Sequence, residues 1–107
     1  MIESKNITFY TLKNIEKIPQ YHLLSAEMKE GLKVVANVLP FRVNNYVLDE
    51  LIDWDNISTD PLFKLTFLHK DMLSRDQYEL MKSALEEPHS TPAELRRVAD
   101  KIRQELN

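Results

Sequence analysis

Proline decides most of what this chain can become. Prolines stand at positions 19, 40, 61, 88 and 92, and a single glycine, Gly31, accompanies them. Proline lacks a backbone donor and pushes the residue before it out of helical geometry, so Pro19, Pro40 and Pro88 each end a helix. Pro61 and Pro92 can open one instead, because the first helical N–H has no partner to lose. The chain is thereby cut into short segments. The lone glycine excludes nucleotide-binding loops of the Walker or dinucleotide type, which need several glycines to bring the backbone onto a phosphate.

Between the prolines the apolar spacing is helical. Residues 1–10 have weak periodicity and read as an extended lead-in. Thr11 can cap a short helix to about Lys17, with Leu12, Ile15 and Ile18 on one face. Ser25 caps a better one, in which Met28, Leu32, Val35 and Leu39 form a stripe of period 3.6 that Val34 and Val38 widen. Phe41 to Asn44 must turn the chain. Asn44 or Asn45 then caps a short helix to about Ile52, with Tyr46, Val47, Leu48, Leu51 and Ile52 as its apolar positions. Asp53 to Asp60 is a polar loop, and Asp60-Pro61 can start another helical turn. Leu62 to Leu68 fits helix and strand about equally well. Ser74-Arg-Asp-Gln77 is a capping box with Leu73 and Tyr78 as its hydrophobic staple, opening a helix to about Glu86. Thr91-Pro-Ala-Glu94 opens an amphipathic final helix over 91–107. Its apolar face is Leu95, Val98, Ala99, Ile102 and Leu106, and Arg96, Arg97, Lys101 and Arg103 lie mostly opposite. The expected fold is all-α, a single domain over 1–107 built as a small orthogonal bundle of about five helices behind the extended lead-in.

The chain has 43% hydrophobic and 29% charged residues, the balance of a folded domain rather than a disordered tail. A net charge of −3 argues against a nucleic-acid partner, which needs concentrated positive charge. No apolar run approaches the ~20 residues of a membrane span, and the N-terminus lacks a signal peptide's apolar core. The chain has no cysteine, so it holds no disulfide, thiolate nucleophile or cysteine-bound zinc or iron–sulfur cluster. A cytoplasmic location follows as an expectation, and Asn6-Ile-Thr8 and Asn56-Ile-Ser58 are then chance glycosylation matches.

Reactive constellations are scarce. His22, His69 and His89 lie in separate joints without metal-ligand spacing, and joint residues are the simpler reading. Asp49, Glu50, Asp53, Asp55 and Asp60 cluster, and Asp53-x-Asp55 opens like a calcium loop. Ile57 then occupies the third ligand position, Ser58 the glycine position and Lys64 the place of the bidentate glutamate, so that pattern fails. Solvated loop acids and helix caps outweigh catalytic carboxylates, which need a partly dry pocket. Arg42 offers a fork for carboxylate or phosphate, and the amides of Asn44 and Asn45 can orient a ligand. The plainer reading is that the asparagines cap a helix and that Arg42 pairs with Asp49 or Asp53. Trp54 is a packing residue before it is a stacking platform. The final helix docks on its own core or, alternatively, on another chain.

Four blocks carry a resemblance. Tyr10-Thr-Leu-Lys-Asn-Ile-x-x-Ile-Pro-Gln20, Val38-Leu-Pro-Phe-Arg-Val-Asn-Asn-Tyr-Val47, Asp49-Glu-Leu-Ile-Asp-Trp-Asp-Asn56 and Asp60-Pro-Leu-Phe-Lys-Leu-Thr-Phe67 resemble the N-terminal region of lysine 2,3-aminomutase-like radical SAM proteins. The similarity continues through Asp71-Met-Leu73 and covers most of residues 10–85, with Leu68-His69 departing from the Pro-Gln of that pattern. Arg42, Asn44, Asn45, Tyr46, Asp53 and Trp54 are its signature or packing positions in this chain. The resemblance implies an isomerase family whose chemistry lies in a partial (β/α) barrel. There a Cys-x-x-x-Cys-x-x-Cys motif holds a [4Fe–4S] cluster that cleaves S-adenosylmethionine, and true aminomutases add pyridoxal phosphate on a lysine. No catalytic, cofactor-binding or metal-binding residue of that family maps onto this chain. The resemblance therefore implies a helical N-terminal domain or fragment, inactive alone, whose partners are the barrel of its parent protein and further copies of itself. A stand-alone helical interaction module is the alternative, and an independent small enzyme fits least.

Overall fold

The computed structural model describes residues 6–106, and these are mostly helical, as the proline and capping pattern predicts. The chain divides into two contact units that interleave in sequence. One contains the chain up to Leu23 together with Phe41–Phe67; the other contains Leu24–Pro40 and the chain from Leu68 onward.

The first unit holds the only sheet among the described residues. Strands β1 (Phe9–Tyr10) and β2 (Val43–Asn44) pair antiparallel, Phe9 opposite Asn44 and Tyr10 opposite Val43. The lead-in is extended as expected over residues 6–10, while residues 1–5 lie outside the described part. The segment expected only to turn is instead a strand. Its partner lies more than 30 residues away, so no local pattern marks it. Thr11 caps the next element, Leu12–Lys17, in a capping box with Asn14, but the winding is 3-10. Ile15 and Ile18 are buried there. Helix α2 (Pro61–Thr66) settles the ambiguous Leu62–Leu68 stretch as helix up to Thr66, with the Asp60 carboxylate accepting the Leu62 N–H at its start.

The short helix after the asparagine pair ends in a π-type turn over Val47–Leu51, closed by the Ile52 N–H on the Val47 carbonyl at 3.1 Å. The expected apolar positions divide between core and solvent. Leu48 and Ile52 are buried, whereas Tyr46 and Leu51 are 48% and 41% exposed. At about 100° per residue these positions already spread over about 240° of the helix circumference, so one core cannot cover them all, and Tyr46 and Leu51 are the two left in solvent.

The second unit packs α1 (Ala26–Ala36), α3 (Arg75–Glu86) and α4 (Pro92–Leu106) around Val34, Val35, Val38, Leu73, Met81, Ala99 and Ile102. Ser25 and Ser74 cap α1 and α3 as their sequence predicts, and the Thr91 hydroxyl accepts the Glu94 N–H at the start of α4. Leu95 and Val98 pack against the same cluster. The apolar face of α4 is thus used inside its own unit, except at Leu106, which the last turn carries into solvent.

Gly31 lets a 3-10 turn, Lys70–Met72, lie close against α1. A Cβ at Gly31 would stand 3.3 Å from the Lys70 backbone nitrogen, tighter than comfortable contact. In an open helix Gly→Ala gains about 1 kcal/mol. Here crowding against backbone opposes that gain, and Gly31→Ala is expected to stabilise by less than about 0.5 kcal/mol. A full ~1 kcal/mol gain in urea unfolding would show that the turn yields freely.

Candidate functional site

The block from Val38 to Asn56 supplied most of the candidate residues, and the structure gives each of them a separate task. Asn44 caps the short helix, its Oδ1 accepting the Val47 N–H at 2.9 Å. Asn45 reaches the other way. Its Oδ1 accepts the Thr8 N–H at 2.9 Å, its Nδ2 donates to the Asn6 carbonyl at 3.1 Å, and its backbone N–H donates to the Thr8 carbonyl at 3.0 Å. One side chain thereby extends the β1–β2 ladder beyond the strands themselves. The adjacent asparagines, indistinguishable in sequence, are a cap and a clasp.

Arg42 lies over the Phe9 ring, its Cζ 3.9 Å from the ring centroid. That corrects the expected pairing with Asp49 or Asp53: among the described residues the guanidinium uses the π face of β1 instead. Asp49 accepts from the Gln20 side-chain amide at 2.8 Å. Asp53 and Asp60 act on the backbone. Asp53 Oδ1 accepts the Asp55 N–H and Asp60 Oδ2 accepts the Asp53 N–H at 2.9 Å, while Asp53 Oδ2 accepts from the Asn56 side-chain amide. Within the acid cluster Asp53 and Asp60 are therefore turn and helix caps, and Asp49 holds Gln20. Among the described residues no group of His, Cys, Asp and Glu could hold a metal.

Trp54 is the centre of the loop's packing. Its indole N–H donates to the Leu48 carbonyl at 2.7 Å, and its ring meets Phe63 and Phe67 edge-on at 5.9 and 5.8 Å. Phe63 and Phe67 stack at 4.7 Å, and Phe41 tilts against Phe67 at 5.7 Å. Edge-on and offset contacts suit the ring quadrupoles, so this is a packing cluster and its rings are spent on one another. Tyr46 takes part in none of these ring contacts and is half exposed.

The histidines stay apart. His22 Nδ1 lies 2.9 Å from the Pro19 carbonyl, His69 precedes the Lys70 turn, and the His89 backbone N–H donates to Glu87.

In the second unit an open groove of about 430 Å³ runs past Glu27, Glu30, Lys70, Arg75, Tyr78 and Lys82. Its charges face each other. Lys70 bridges to Glu27 at 2.9 Å, Lys82 to Glu30 at 3.1 Å, and the Tyr78 hydroxyl donates to Glu30 at 2.9 Å. The bond from Lys82, then that from Tyr78, hold the Glu30 carboxyl below its usual range, and the bond to Glu30 raises the Lys82 ammonium. Tyr78 is pushed well above a free phenol, first by burial and then by its bond to Glu30. The local sequence marks Tyr78 only as a staple; its partner Glu30 is 48 residues away, and nothing local announces it. A raised folded pKa favours the protonated phenol, so that contribution to stability is complete below about pH 10 and fades as pH climbs beyond it. In a spectrophotometric titration, the ionisation missing from Tyr78→Phe is expected to lie clearly above pH ~10. A lost component at the ordinary phenol value would show that the bond to Glu30 does not hold in solution.

Arg103 lies opposite the apolar face of α4 as expected, its side chain 44% exposed, but its head group has partners that the helix pattern does not show. Its Nε donates to the Val38 carbonyl at 2.6 Å and its Nη2 to the Asn37 carbonyl at 3.1 Å, while Nη1 pairs with Asp100. The side chain closes the C-terminal end of α1.

No helix among the described residues is long and apolar enough to cross a membrane. Comparison of the chain with protein-family models, with curated proteins and with solved structures gives no match in any of the three.

Proposed function

We propose that this chain is the N-terminal helical domain of a lysine 2,3-aminomutase-like radical SAM protein and serves there as a scaffold without catalysis of its own. The observation that carries this reading is the use made of the block that bears the resemblance. Asn44, Asn45, Asp53 and Asp60 are engaged by backbone groups, Arg42 by Phe9, and Trp54 by a carbonyl and two rings. Polar side chains committed in this way specify a shape and leave little with which to bind or turn over a substrate.

The residues present do not fit the family's cofactors. A [4Fe–4S] cluster needs thiolates, and the chain has none. Cluster, S-adenosylmethionine and any pyridoxal phosphate would belong to a barrel, the proposed partner, and the isomerase chemistry with them. The cysteine-free composition suits the reducing cytoplasm. Association with further copies of the chain is part of the same proposal. The alternative, a free-standing module that binds through α4, is less well supported, because Ala99 and Ile102 are already buried within the second unit.

The native coding sequence tests the proposal. It is expected to continue past the codon for Asn107 into a segment bearing Cys-x-x-x-Cys-x-x-Cys. A stop codon at that point, with no such segment, would overturn the assignment.

A further inference from the structure

We draw no further inference here: the strongest candidate, the outward apolar face of α2 where Leu65 is 81% exposed beside Leu62, carries nothing because no feature of the structure shows what covers it.

Discussion

Replacing Phe67 with alanine is expected to cost about 3–5 kcal/mol, the usual range for deleting a buried aromatic ring. The ring is 2% exposed and is the common member of the aromatic cluster, touching Phe41, Trp54 and Phe63. Deletion therefore removes its own burial and three ring contacts, and the cavity is walled by flat, stiff groups that collapse poorly. A domain of this size has a total stability of about 5–15 kcal/mol, so the loss is a large fraction of it. Trp54 is the only tryptophan, which makes its emission a reporter of this cluster. Urea unfolding followed by that emission should show the midpoint falling steeply, and Phe67→Leu should recover much of the loss. A shift worth less than about 1 kcal/mol would mean that the rings do not pack as described.

The second large effect is expected at Arg103. Arg103→Met keeps most of the apolar stem and removes the guanidinium, and should destabilise by about 1.5–3 kcal/mol, the range for hydrogen bonds that involve a charged group. The acceptors are the carbonyl of the C-cap residue Asn37 and that of Val38 in the turn beyond it, next to the negative dipole end of α1, so a forked cation there satisfies two acceptors beside that end. Both bonds run back to α1 across 65 and 66 residues, tying α4 to the exit of that helix. Arg103→Lys should restore only part of the loss, since an ammonium lacks the fork. Arg97→Met, on the exposed side of the same helix, should change stability by less than about 0.5 kcal/mol. Equal effects at positions 97 and 103 would sink this account.

These two residues also mark where sequence reading stops. Ser25, Asp60, Ser74 and Thr91 were legible as caps because capping links a side chain to a backbone group two or three residues on. The core stripe of α1 was legible because period 3.6 survives any packing partner: Leu32, Val34 and Val35 are buried, while Val38 is buried from the turn that follows the helix end at Ala36. Arg103 looked like any other basic residue of α4, since its acceptors belong to another helix. Tyr46 and Leu51 are apolar by type yet exposed, because the apolar positions of this short helix spread too far around it for one core to cover.

The candidate site divides along the same line. Asn44 was readable as a cap from its own neighbourhood. Asn45 was not readable as a clasp on Asn6 and Thr8, because that bond exists only once β1 lies beside β2. Arg42 followed the same rule, with Phe9 taking the place of the carboxylate expected.

The local decisions are written in the chain itself. Pro19 and Pro88 stand just past two helix ends, although α1 already ends at Ala36, short of Pro40; short polar side chains set where helices start, and the absence of cysteine and the lone glycine removed whole classes of chemistry. Each rests on groups only a few residues apart, so the chain carries the answer before it folds. The tertiary structure alone decided how the polar residues of the Val38–Asn56 block are spent. Which carbonyl, ring or amide meets each of them depends on segments brought together across the fold, and that distance puts the choice beyond any reading of neighbouring residues.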